Sequence, residues 1–129
     1  MEKDKEKILL IDDEEDLLEL VKSTLELENF NVITAQDGED GFKKAVDEKP
    51  NLILLDIKMP GLNGFQVLER LKTNEVTSNI PVIMFTTSIQ MRDRDKALDM
   101  GAVDYVVKSF EGFALAERIR EILKNIGKG

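Results

Sequence analysis

A chain of 129 residues, 42% hydrophobic and 34% charged, has room for one domain and enough apolar material for a core; the expected domain fills 1–129, its folded part about 7–125. Lys and Arg number 18 against 26 Asp and Glu, and the net charge of -8 has the wrong sign for direct nucleic-acid or anionic-membrane binding. His and Cys are absent, which excludes disulfides, imidazole acid-base chemistry, and Cys-His and Ser-His-Asp nucleophiles. Any metal must be a hard cation on carboxylate oxygen: Mg2+, Mn2+ or Ca2+.

The mixed-charge start, MEKDKEK, leads into Ile8 to Ile11, an apolar run too short for a signal or membrane segment, so a cytoplasmic protein is expected. Short dense apolar runs then alternate with helical stretches. Ile8 to Ile11, Val32 to Ala35, Leu52 to Leu55, Val82 to Phe85 and Val103 to Val107 are predicted strands, with the first, third and fourth central because they are almost continuously apolar. Between them Leu17, Leu20, Val21 and Leu25 define one helical face, Phe42, Ala45 and Val46 a second, and Leu68 and Leu71 a third. A fourth helix around Arg92 to Met100 has a weaker stripe, and Ala116, Ile119, Leu123 and Ile126 mark the last. Breakers fall at the joints: Pro50, Pro60-Gly61, Gly64, Pro81 and Gly101. The pattern is an α/β fold of five strand–helix pairs whose right-handed crossovers cover both faces of a parallel sheet, with any ligand at the carboxyl ends of the central strands.

Those ends carry chemistry. Asp12-Asp13 follow the first strand and Asp56 the third, so three carboxylates converge if the two strands are neighbours, and a divalent cation is the simplest remedy for their repulsion. The first pair also has a plainer reading, as caps and a solvated first turn of the next helix. Thr86 closes PVIMF and Lys108 closes DYVV, bringing a hydroxyl and an ammonium to the same edge. Each alone is ordinary. Together they supply a carboxylate nucleophile, metal ligands, a donor and a fixed cation, the needs of phosphoryl transfer to Asp.

The motifs LLIDDEED, LILLDIKMPGLNG, PVIMFTT and GAVDYVVK, in this order and spacing from Lys7 to about Asn125, resemble the receiver domain of two-component response regulators, in particular its stand-alone, chemotaxis-regulator-like form. The resemblance implies a doubly wound, flavodoxin-like five-stranded parallel sheet in the order 2-1-3-4-5. It implies that Asp56 is the phosphoacceptor and that Mg2+ is bound directly by Asp13, Asp56 and the Lys58 carbonyl, and through water by Asp12. Lys108 and Thr86 would hold phosphoryl oxygens, Thr86 and Tyr105 would form the switch, and Lys58 and Ser88 would occupy positions that tune dephosphorylation. A histidine kinase or histidine phosphotransfer protein would be the donor. The face made by the fourth helix, fifth strand and fifth helix would select an effector protein, with no direct contact to nucleic acid or membrane and no catalysis beyond self-phosphorylation and autodephosphorylation.

Two positions depart from the family pattern. Ser109 stands where Pro, in a cis peptide, usually follows the lysine. A Lys-Ser bond loses roughly 2.5 to 4 kcal/mol on going cis, so a trans Lys108-Ser109 peptide is expected, with Lys108 less tightly held over Asp56. Thr87 is bulkier than the usual Ala or Gly after the switch residue. Other classes fit less well. A flavin domain needs a phosphate-cradling loop where Asp12 to Asp16 stand, a phosphohydrolase needs an acid at Lys58, and an EF-hand needs Gly at Leu17. The remaining alternative is a receiver-like interaction module with impaired or absent phosphorylation. No output domain is expected after the last helix.

Overall fold

A strand apolar on both faces is stable only inside a sheet covered on both sides. The computed structural model, which describes residues 5–108 and 111–127, builds that arrangement. Its elements are β1 (Lys7–Ile11), α1 (Glu15–Leu27), β2 (Asn31–Ala35), α2 (Gly38–Glu48), β3 (Leu52–Leu55), α3 (Gly64–Thr73), β4 (Val82–Thr86), α4 (Met91–Asp99), β5 (Asp104–Val107) and α5 (Gly112–Gly127). The strands pair in parallel in the order β2-β1-β3-β4-β5.

Alternate residues of each strand point to opposite faces, and two cores result. Leu9, Ile11, Ile53, Leu55, Val82 and Met84 pack against Ala45 of α2, Val67, Leu68 and Leu71 of α3, and Ala97 of α4. Ile8, Leu10, Leu52, Leu54, Ile83 and Phe85 pack against Leu18, Val21 and Leu25 of α1 and Leu115, Ala116 and Ile119 of α5. Each of these side chains larger than Ala contributes about 1.5 to 3 kcal/mol by leaving water.

Helical periodicity was misread at two positions. Leu20 is exposed, whereas Leu18 is buried, because Leu18 lies three residues before Val21 on the same face and Leu20 only one. Ile126 is exposed in the last turn of α5, beyond the turns that face the sheet. Val103 is likewise exposed and precedes β5 instead of opening it. Helix α4 buries only Ala97, which matches its weak stripe and leaves it the most lightly anchored of the elements facing the first core. No helix among the described residues is long and apolar enough to cross a membrane.

One close approach positions the site. Gly64, the first residue of α3, donates its N–H to the Ile57 carbonyl at 2.7 Å and lies directly on the backbone of Asp56; a Cβ there would be 2.2 Å from the Asp56 carbonyl oxygen. The helix start is fixed by a reciprocal cap in which Asn63 Oδ1 accepts from Gln66 N–H at 3.0 Å and Gln66 Oε1 accepts from Asn63 N–H at 2.8 Å.

Candidate functional site

The acidic cluster is a consequence of the ladder. Ile11 faces Leu55 across β1 and β3, and the pairing runs one residue further, with Asp56 N–H donating to the Ile11 carbonyl at 3.1 Å and Asp12 N–H to the Ala35 carbonyl at 3.0 Å. Asp12 and Asp56 therefore leave adjacent strands at the same level. Carboxylate oxygens of Asp12, Asp13 and Asp56 all lie within 4.8 Å of one another; Asp12 and Asp56 are buried and Asp13 is exposed.

Each buried carboxylate divides its oxygens. Asp12 Oδ1 accepts from Glu14 N–H at 2.9 Å, and Asp56 Oδ1 accepts from Ile57 N–H at 2.8 Å. The other oxygens face Lys108, whose Nζ is 2.5 Å from Asp12 Oδ2 and 3.2 Å from Asp56 Oδ2. Asp12 Oδ2 is an ion-pair partner of that ammonium yet receives no well-directed hydrogen bond among the described residues, although it is fully buried. Burial pushes the Asp12 carboxyl above the ordinary aspartate value, the Lys108 contact and the Glu14 N–H opposing it only in part and the Asp56 charge adding to it. Burial acts against the Lys108 ammonium too, but Asp12 and Asp56 together outweigh it and raise its pKa.

The capping reading of Asp12 and Asp13 covers little of this. The N-cap of α1 is Glu14, with no side-chain cap, and Asp12 uses only one oxygen in a local turn. A buried carboxylate oxygen served only by the Lys108 ammonium, beside two more carboxylates in an all-oxygen donor set, fits a hard divalent cation.

The remaining predicted residues occupy two places. Thr86 is buried at the end of β4, and its carbonyl accepts from Lys108 N–H at 2.8 Å, so the Thr and Lys positions are tied through the backbone. Tyr105, on β5 beside Met84, donates its hydroxyl to the Ser88 carbonyl at 2.8 Å. Ser88 is buried, and its own hydroxyl donates to Asp93 Oδ2 at 2.6 Å. Lys58 is exposed beside the cluster. The expected trans peptide falls on Ser109, outside the described residues. The Lys108 side chain is 6% exposed and contacts both carboxylates, Asp12 more closely than Asp56. Asp93, and the contact of Gly64 with Asp56, escaped the sequence reading. An acidic residue in a helix's first turn reads as a dipole partner, and a glycine after Asn as a turn residue; neither spacing reveals the contact across the loop.

A doubly wound parallel sheet with three carboxylates and a lysine at the carboxyl ends of its central strands places the charged cluster where open α/β sheets of this class bind their ligands. The response regulator receiver domain model matches residues 8–120, and the chain belongs to that family, the receiver domains of two-component systems. It is 40% identical over 124 residues, 96% of this chain, to the probable transcriptional regulator ycf27 of Porphyridium aerugineum. It is 39% identical over 118 residues, 92% of this chain, to the alkaline phosphatase synthesis transcriptional regulatory protein PhoP of Bacillus subtilis. The chain spans about half the length of these relatives, 50% and 48%. Among solved structures, a CheY-like receiver domain protein of Methanospirillum hungatei superposes with a TM-score of 0.89 at 31% identity, covering 96% of this chain and 98% of that one. The chemotaxis protein CheY4 of Vibrio cholerae gives a TM-score of 0.86 at 26% identity, covering 91% and 98%.

Proposed function

We propose that the chain accepts a phosphoryl group on Asp56 and signals by changing its protein contacts. The observation that carries this reading is the arrangement of Asp56 itself: Oδ1 is committed to the Ile57 N–H, leaving Oδ2 as the nucleophile, 3.2 Å from the Lys108 ammonium. Oδ2 forms the new bond to phosphorus as the bond from phosphorus to the donor breaks, and the donor leaves with that electron pair. Asp12, Asp13 and Asp56, with the Lys58 carbonyl, would hold Mg2+, and the ion would supply positive charge against the oxygens of the transferring group. Lys108 neutralises a further phosphoryl oxygen and Thr86 donates its hydroxyl to another.

The phosphoryl donor is a phosphohistidine on a histidine kinase or a histidine phosphotransfer protein, and its imidazole lies outside these 129 residues, which contain no His. The added group carries about -1.5 to -2 charges, enough to draw Thr86 and bias the position of Tyr105, and so to reshape the face of α4, β5 and α5 that an effector reads. Lys58 and Ser88 set the lifetime of the aspartyl phosphate, which this chain hydrolyses itself. A cytoplasmic location belongs to the same reading. The test is intact mass after acetyl phosphate treatment: one phosphoryl group is gained with Mg2+ and none in excess chelator, whereas no gain in either condition identifies a receiver-like interaction module instead.

A further inference from the structure

Strand β2 lies at one edge of the sheet, and only half of its backbone is used by the ladder. Asn31 N–H donates to the Glu6 carbonyl at 2.9 Å and the Ala35 carbonyl accepts from Asp12 N–H at 3.0 Å, so Asn31, Ile33 and Ala35 turn their backbone groups toward β1. Alternation along the strand turns those of Val32 and Thr34 outward. Lys44 of α2 marks that direction: its ammonium donates to the Thr34 carbonyl at 2.6 Å while pairing with Asp40 Oδ2 at 3.1 Å. The Val32 and Thr34 N–H groups and the Val32 carbonyl have no hydrogen-bond partner among the described residues. Beside this edge runs a groove lined by Glu15, Glu19, Lys22 and Glu26 of α1 together with Thr34. The three glutamates are exposed, and among the described residues none of them is in an ion pair.

We propose that the outer edge of β2 docks a basic, extended segment of a partner protein, which joins the sheet as an added strand and sets its cationic side chains against the α1 glutamates. Main-chain hydrogen bonds to Val32 and Thr34 supply affinity that does not depend on side-chain identity, and the groove selects for positive charge. A second copy of this chain is a poor occupant, because it carries a net charge of -8 and would bring like charge to the same groove. Lys44 covers the edge until the segment arrives. A lysine laid over an exposed edge strand blunts uncontrolled pairing, and here it both occupies the Thr34 carbonyl and places positive charge where the segment enters. The segment's contacts must therefore outweigh the release of Lys44, which makes Lys44 a brake on docking.

The proposal does not depend on Asp56 accepting phosphate and is tested on the full, unphosphorylated chain. The probe is a peptide of alternating Lys and Val, acetylated and amidated at its ends. The control is the same peptide N-methylated throughout, which keeps every charge and has no backbone N–H to donate. Amide hydrogen exchange, read residue by residue by NMR, follows the edge. In the free protein Val32 and Thr34 should exchange fast beside a protected Ile33; saturating peptide should slow both by about tenfold or more, and the N-methylated peptide should leave them unchanged. Lys44→Met is expected to bind the peptide about two- to tenfold more tightly, the effect of one freed hydrogen-bonding group. Glu19→Lys should bind it more weakly, as should wild type when salt is raised from about 0.05 to 0.5 M. Equal binding of the two peptides would reduce the contact to charge alone, and unchanged exchange at Val32 and Thr34 would place the peptide elsewhere. Protection of those amides that grows with protein concentration, without peptide, would assign the edge to a second copy. Each of these results overturns the proposal, as does a Lys44→Met protein that binds no more tightly than wild type.

Discussion

Replacing Gly64 by Ala tests how the fold aims Asp56. The added Cβ would stand 2.2 Å from the Asp56 carbonyl oxygen and 2.7 Å from Ile57 Cα, whereas ordinary contact begins at 3.4 Å. Both neighbours are backbone, so no rotamer change relieves the clash, and the start of α3 must separate from the loop after β3 by about 1 Å. Overpacking of this kind costs about 1 to 3 kcal/mol. At about 4 °C per kcal/mol for a domain of this size, the melting temperature should fall by roughly 4 to 12 °C. Because the displaced atoms belong to Asp56 and Ile57, the carboxylate moves with them, and a 1 Å error at a reacting group slows transfer by about 100-fold. Melting curves and the rate of mass gain from acetyl phosphate measure the two effects. Gly61→Ala is the control. Its φ of +75° strains an alanine by about 1 to 2 kcal/mol, but nothing lies within 4 Å of the new methyl group, so stability should fall without the loss of rate. A Gly64→Ala protein with wild-type melting temperature and rate would refute the reasoning.

Three further outcomes follow from the charges. Lys108→Ala removes the ammonium paired with two buried carboxylates and should cost about 3 kcal/mol in chelator, with much of it restored by Mg2+; equal losses in both conditions would show that Lys108 does not share that role with a metal. Lys58→Asn exchanges an exposed ammonium for an amide able to orient water, so the aspartyl phosphate should decay faster than in wild type, where the Ser88 hydroxyl is occupied by Asp93; equal or slower decay counts against a protective Lys58. The Lys72 ammonium donates to the Ser78 and Ile80 carbonyls at 3.2 and 2.9 Å, and burial lowers its pKa below the ordinary 10.5. Between that lowered value and 10.5 the unfolded chain holds a proton that the folded one has released, so stability gains from Lys72 as pH rises through this window. Subtracting the alkaline stability profile of Lys72→Met isolates the slope, and a flat or falling difference would contradict it.

The sheet was legible because β1, β3 and β4 are almost purely apolar, and the convergence of Asp12 and Asp56 followed once those strands were placed side by side. Helix faces were less legible where leucines stand on both sides of one turn, as at Leu17, Leu18 and Leu20, since neighbours in sequence differ in direction by about 100° and a short apolar cluster leaves the phase ambiguous. Electrostatic detail lay beyond the sequence. That Lys108 stands closer to Asp12 than to Asp56 depends on which oxygen each backbone N–H has taken, and the Ser88–Asp93 bond joins a loop to a helix turn whose relative placement no periodicity encodes.

The most direct test of the account is to locate the phosphoryl group itself. After acetyl phosphate and Mg2+, borohydride reduction converts an aspartyl phosphate to homoserine, and peptide mass spectrometry then names the residue. The account requires homoserine at position 56 in wild type and no mass gain in Asp56→Asn. Homoserine at position 12 or 13, or undiminished labelling of Asp56→Asn, would contradict it.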